Sequence, residues 1–198
     1  MFLKKIFNAK IIKIFIIVFC LLKPVNSKEV NLLNDALTYL NNLNVFSSSF
    51  LQIQNNEVSE GLFYIKGKRI RIEYKKPNEL VFVLKKNKGM YYNVGLQEVQ
   101  YFNPEKTIGW FIIDLFNNEN FLSDSKTNKK KGHFYIYKKV EFDEDLYNIK
   151  IYFEEKPFHL RKIEIISDLE IITFTLINPN FNPTLDDKIF SLANPLLG

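Results

Sequence analysis

The chain has 198 residues, 46% hydrophobic and 15% aromatic, with one cysteine, two histidines and a formal charge of +5. That length suits one domain with a sizeable core, and a single cysteine excludes a disulfide framework. The charge is no argument for nucleic-acid binding: five of the 27 basic residues fall in 1–27, which has no acid, leaving 22 basic against 22 acidic residues.

Residues 1–27 have the order of a secretory signal. Lys4 and Lys5 come first, then an apolar region over 11–22 flanked and interrupted by Lys10 and Lys13, then Pro24, Val25, Asn26 and Ser27, with Val25 and Ser27 small enough for a cleavage site. The longest uninterrupted apolar run, 14–22, is much shorter than the ~20 residues that span hydrocarbon. Cleavage near Ser27 is therefore expected, leaving a single domain at 28–198. Cys20 would leave with the signal, so the mature chain would fold by core packing without disulfides. Lipid modification of Cys20 is disfavoured by bulky Ile17, Val18 and Phe19 before it and Lys23 after it.

A helix is predicted over 29–42, where Val30, Leu33, Leu37 and Leu40 recur at spacings of three and four. Strands are predicted at 46–54 and 61–66, joined through Asn55 and Asn56, and at 69–74, 79–85, 89–93 and 98–102. Short turns between sequential strands argue antiparallel pairing. At 106–117 the period changes to helical, with Ile108, Phe111, Ile112, Leu115 and Phe116 on one face and Trp110 beside it. The lysine-rich stretch 123–132 reads as a solvated connection, and strands resume at 133–142, 146–154, 159–167 and 170–178. The pattern is that of a mainly β fold with some α.

Catalytic residue types are scarce. His133 and His159 sit in strand-like segments without acidic or cysteine neighbours at metal-ligand spacing. Glu141, Asp143, Glu144 and Asp145 crowd a turn but lack the ordered alternation and glycine of a calcium loop. No nucleophile elbow or phosphate-binding glycine loop is present, so neither an enzyme nor a cofactor is expected. The aromatic residues are the stronger signal. A sheet with helices on one side can enclose an apolar cavity, and Phe50, Phe63, Ile72, Tyr74, Phe82, Tyr92, Trp110, Phe111 and Leu115 are its candidate lining. Periodicity alone leaves a filled core equally open.

The ordered set FLQ (50–52), G-x-F-Y-I-K from Gly61, R-I-E-Y-x-x-P (71–77), V-F-V (81–83), G-x-Y-Y (89–92) and L-Q-E-V (96–99) resembles the LolA family of lipoprotein carriers. FSLANP (190–195) resembles that family's closing Phe-x-x-x-x-Pro strand. The resemblance implies a LolA/LolB-like incomplete antiparallel β-barrel, a strongly curved sheet closed by a helical lid. It also implies a monomeric periplasmic chaperone that shields lipoprotein acyl chains, taking them from an inner-membrane lipoprotein-releasing ABC transporter to an outer-membrane receptor. Trp110, Ile112 and Leu115 would belong to the lid. Where the family has Arg-Pro ahead of the R-x-E-Y strand, this chain has Lys66 and Gly67, so Lys66, or Arg69 in a shifted register, is the candidate for the arginine's part in lid opening and hand-over. Two other readings stand beside it: a related envelope lipid or glycolipid binder, and a sheet that binds a peptide or polymer along an exposed edge.

Overall fold

The computed structural model describes residues 27–197; the expected export signal, save Ser27, lies outside them. Helix α1 (Ser27–Asn42) leads into β1 (Val45–Gln54), β2 (Glu57–Lys66), β3 (Arg69–Lys76), β4 (Leu80–Lys85), β5 (Lys88–Asn93) and β6 (Glu98–Phe102). A 3-10 turn (Pro104–Lys106) and helix α2 (Trp110–Asn117) precede β7 (Lys126–Lys130), β8 (His133–Phe142), β9 (Asp145–Glu155), β10 (Phe158–Ile166) and β11 (Ile171–Asn180). A second 3-10 turn (Asp187–Phe190) follows. The turn chemistry read from sequence is realised at Asn55 and Asn56, both at positive φ, where asparagine is among the better-tolerated residues.

All eleven strands form one sheet in the order β6-β5-β4-β3-β2-β1-β11-β10-β9-β8-β7. Two meanders, β1 to β6 and β7 to β11, are sewn together by antiparallel pairing of β1 with β11. Strands β6 and β7 are opposite edges of this sheet and are not neighbours. The strongly curved, incomplete barrel expected by resemblance is therefore corrected to an open eleven-stranded sheet. One edge carries its own protection against further pairing: β7 presents Lys126, Lys129 and Lys130 to solvent, a device that blunts an exposed ladder.

Three further expectations are corrected. Part of the lysine-rich connection is β7; its two faces are both largely exposed, so the hydrophobic alternation that marks a half-buried strand never develops. The helix expected over 106–117 is shorter, because Pro104 opens a separate 3-10 turn and Thr107, extended at φ −137° and ψ 159°, interrupts the chain before α2. The closing strand expected at 190–195 is a 3-10 turn followed by irregular chain, the turn being capped where the Asp186 side chain accepts from the Lys188 amide at 2.9 Å.

Alternation assigns the two faces. Phe46, Phe50, Phe63, Ile65, Ile70, Leu84, Phe134, Ile136, Ile149, Ile151, Phe153, Ile163, Phe174 and Leu176 are buried in one continuous core with Ala36 and Leu40 of α1 and Phe111, Ile113 and Leu115 of α2. Tyr39 of α1 packs edge-on against Phe153 and Phe158, at 5.8 and 5.7 Å between ring centroids. On the opposite face the C-terminal segment crosses β3, and buried Phe190 lies beneath the Arg69 guanidinium, 5.1 Å from its ring centroid. Gly61 sits where the β2–β3 register shifts; a Cβ there would lie 1.9 Å from the Glu73 carbonyl oxygen and 2.8 Å from the Phe50 ring. Gly61→Ala is expected to lower stability by about 1–3 kcal/mol, read as a lower urea midpoint at unchanged slope. An unchanged midpoint would show that the backbone yields freely at this bulge.

Candidate functional site

Helix α2 covers only part of the inner face. Its Phe116 ring is 5.7 Å from Phe63 on β2, and its Phe111 ring is 5.5 Å from Tyr147 on β9. The helix thus leans on both halves of the sheet and leaves a gap of about 380 Å³ between them. That volume lies within the usual range for small-ligand sites. The sheet contributes Phe63, Ile72, Phe82, Leu84, Phe102, Ile163, Ile165, Ile172, Phe174 and Leu176; the other wall is Ile108, Gly109, Ile112 and Phe116. Room for Phe102 comes from Gly89 beside it on β5, whose Cβ would meet the Phe102 ring at 2.7 Å.

One end of the cavity is polar. Tyr74 Oη donates to Gln52 Oε1 at 2.7 Å, Gln52 Nε2 donates to Gln54 Oε1 at 3.2 Å, and Gln54 Nε2 donates to Glu170 Oε2 at 2.7 Å. Burial pushes the Tyr74 phenol up to about 12, so at neutral pH it is a donor. The hairpin turn between β10 and β11 sets Glu170 in place: its amide donates to Ser167 Oγ at 3.2 Å and its carbonyl accepts from the Ser167 amide at 3.0 Å.

Of the residues chosen from sequence, Phe63, Ile72, Tyr74, Phe82 and Ile112 line this cavity. Phe50 lies one layer beneath, stacked on Phe174 at 4.6 Å and edge-on to Tyr74 at 5.1 Å. Tyr92 pairs with Val81, whereas Tyr91 pairs with Phe82 and touches its ring, so Tyr91 holds the inward parity and Tyr92 the outward. Trp110 and Phe111 face the β8–β9 hairpin, and Leu115 is core. The lining from β10 and β11 was missed, although the alternation Ile163, Ile165 and Ile172, Phe174, Leu176 carries it.

Lys66 and Arg69 point to the outer face. Lys66 Nζ donates to the Leu185 carbonyl at 2.7 Å, and both side chains pair with Asp187, through Lys66 Nζ at 3.4 Å and Arg69 Nη2 at 2.5 Å. Arg71 adds a bond from Nη1 to the Ile189 carbonyl at 2.7 Å. These three cations clasp the C-terminal segment, while α2 is tied to the β2–β3 turn by Asn117 Nδ2 donating to the Lys68 carbonyl at 3.4 Å. His159 is buried, with Nδ1 2.9 Å from the Pro157 carbonyl and Nε2 3.3 Å from Glu154. Among the described residues no group of three or more potential ligands could hold a metal ion, and no helix is long and apolar enough to cross a membrane.

With this geometry in view, the sequence profile of the outer membrane lipoprotein carrier protein LolA matches residues 41–193. The chain belongs to the LolA family. That membership makes it a carrier-type protein and not an enzyme. No curated protein matches the chain. Among solved structures, an uncharacterized conserved protein from Thermus thermophilus is similar at TM-score 0.53 and 9% identity over 84% of this chain and 95% of that one, a likeness of fold alone. MucB aligns at TM-score 0.48 and 10% identity over 82% of this chain and 62% of its own. A DUF1329 family protein from Desulfovibrio piger aligns at TM-score 0.48 and 10% identity, over 84% and 99%.

The outer-face clasp gives a pH test. Arg71 Nε donates to Glu73 Oε1 at 2.6 Å and Lys75 Nζ lies 3.2 Å from Glu73 Oε2. Burial alone would raise the Glu73 carboxyl, but hydrogen bonds and charge from Arg71 and Lys75 outweigh it and hold the carboxyl below its ordinary range. A folded-state value below the unfolded one stabilises above the unfolded pKa, and that contribution is lost as pH falls through the folded value. Glu73→Gln should therefore be less stable than the wild type at neutral pH and converge with it in strong acid, measured by denaturant unfolding across pH. A constant difference would mean that the ionised pair is not what the substitution removes.

Proposed function

We propose that this protein is a periplasmic carrier that shields the acyl chains of lipoproteins in the cavity beneath α2 and conveys them from an inner-membrane lipoprotein-releasing transporter to an outer-membrane receptor. Membership of the LolA family supports the class of protein. The observation that carries the reading is the apolar cavity of about 380 Å³ between the sheet and α2. Burying an acyl chain is worth about 0.8 kcal/mol per methylene, so even partial sequestration offsets much of the cost of leaving a membrane. No covalent step is needed. Delivery follows when an acceptor offers a comparable apolar environment.

A carrier's cavity must also open. Helix α2 has eight residues, Gly109 at its N-cap gives no side-chain cap, and the buried Trp110 indole N–H has no hydrogen-bond partner among the described residues. Helices this short are not stable by themselves, so α2 depends on packing against the sheet. An acyl chain that fills the gap against Ile72 and Phe82 can take over contacts such as that of Phe116 with Phe63 as the helix lifts, which keeps the exchange inexpensive.

Ile72→Arg and Ile112→Asp should each weaken binding of a fluorescent fatty acid about tenfold or more, since each sets a charge against an apolar ligand. Circular dichroism must show the fold retained. Wild-type affinity in both folded variants would remove the cavity from the acyl site. Mass spectrometry of gently purified protein should find acylated cargo; glycolipid alone would instead assign it to a related envelope lipid pathway.

A further inference from the structure

Glu170 is the one charged residue lining the apolar cavity among the described residues, and it also lines a neighbouring depression of about 270 Å³. That depression contains Asp145 and Asp168 with Asn55 and Ser167, and among the described residues no lysine or arginine lines either space. Two of its carboxylates act on a common region: burial, and then the charges of Asp145 and Glu170 with that of nearby Asp143, push the Tyr147 phenol above its ordinary range. Three successive donors run toward Glu170, from Tyr74 through Gln52 and Gln54, and end on Oε2. Oε1 has no hydrogen-bond partner among the described residues. An apolar slot thus joins an acidic vestibule at a carboxylate with one oxygen in use and one free.

We propose that this vestibule is a polar-group subsite that selects amphiphiles whose head, next to the acyl chain, carries a protonated amine, with Glu170 as the specificity-determining contact. The inference rests on the acyl-carrier reading and adds to it a preference the apolar walls do not supply. An ammonium placed at Oε1 gains a charge-assisted hydrogen bond in a partly desolvated setting. A carboxylate or phosphate at the same place meets Glu170, Asp145 and Asp168 as like charges. The amine could come from an aminophospholipid head or from a lysine beside the acylated residue of a polypeptide, since both present the same group to the carboxylate.

The test is displacement of an apolar fluorescent probe from the full mature chain by dodecyl amphiphiles ending in ammonium, glycerol or carboxylate. The ammonium form should bind about tenfold more tightly than the carboxylate form, and the gap should narrow as salt is raised. Glu170→Gln keeps the shape and the contact with Gln54; it should abolish the preference, so that the ammonium and carboxylate forms bind alike. Equal binding of ammonium and carboxylate by the wild type, or a preference that survives in Glu170→Gln, overturns the assignment. If glycerol amphiphile binds but no head is preferred, only this inference fails; if none of the three binds, the carrier reading fails with it. Repeating the comparison with phosphatidylethanolamine and with an acylated peptide bearing a neighbouring lysine identifies the source, and a Glu170-dependent gain for neither also overturns it.

Discussion

The pairing of β1 with β11 is the constraint on which everything else depends. Seven register pairs, from Ser47 with Asn180 to Gln54 with Ile172, fuse two meanders that would otherwise be separate sheets. Because alternation is continuous across the seam from Ser49 to Gln54, Phe50 and Phe174 stack on one face, and the apolar sides of the two meanders become one surface. A slip by one residue would send Phe50, Gln52 and Gln54 to the outer face and break both the cavity and its polar end. Ser48, buried on the inner side, helps fix the seam where the register shifts: its hydroxyl reaches the Ile177 carbonyl at 2.8 Å.

The cavity arises from under-coverage. Eleven strands offer far more apolar surface than α1 and the eight residues of α2 can hide. Where α1 lies, aromatic rings fill the space, as Tyr39 does against Phe153 and Phe158. Where α2 lies, its rings brace against both sides and hold the helix off the middle of the sheet. The open β7 edge does not interfere, because its lysines keep that ladder from acquiring a partner. Meanwhile the cations at positions 66, 69 and 71 are engaged with the C-terminal segment on the far face, so the two faces have different duties: one holds an apolar space, the other holds the chain's own end.

Much of this was legible because a half-buried strand writes itself as alternation. Phe63, Ile65, Ile70 and Ile72 give β2 and β3 directly, and the Asn55–Asn56 turn names its own geometry. Parity within adjacent aromatics was not legible: Tyr91 and Tyr92 are the same residue type, and only pairing with Phe82 or Val81 separates inside from outside. β7 was invisible because an edge strand exposed on both faces leaves no hydrophobic trace. The polar end of the cavity escaped as well. Gln52, Gln54 and Glu170 look like ordinary strand and turn polarity until the β1–β11 seam brings together side chains 116 positions apart, as it does for Gln54 and Glu170. The open form of the sheet was masked by resemblance, since the local motifs specify strands and turns and say nothing of whether the far edges meet.

The position of β1 also sets an order of events during folding. Its pairing with β2 can form through a two-residue turn almost as soon as both are available, but its other edge must wait for β11, the last strand of the chain. Bringing such distant segments together is slow, and an unfilled ladder is a template for the wrong neighbour in the interval. The waiting edge contains Ser47, Ser48 and Ser49 in a row before Phe50. Three consecutive hydroxyl residues make this stretch less adhesive than the aromatic strands around it, so the edge that must wait for its second partner carries a segment poorly suited to pair with a stranger.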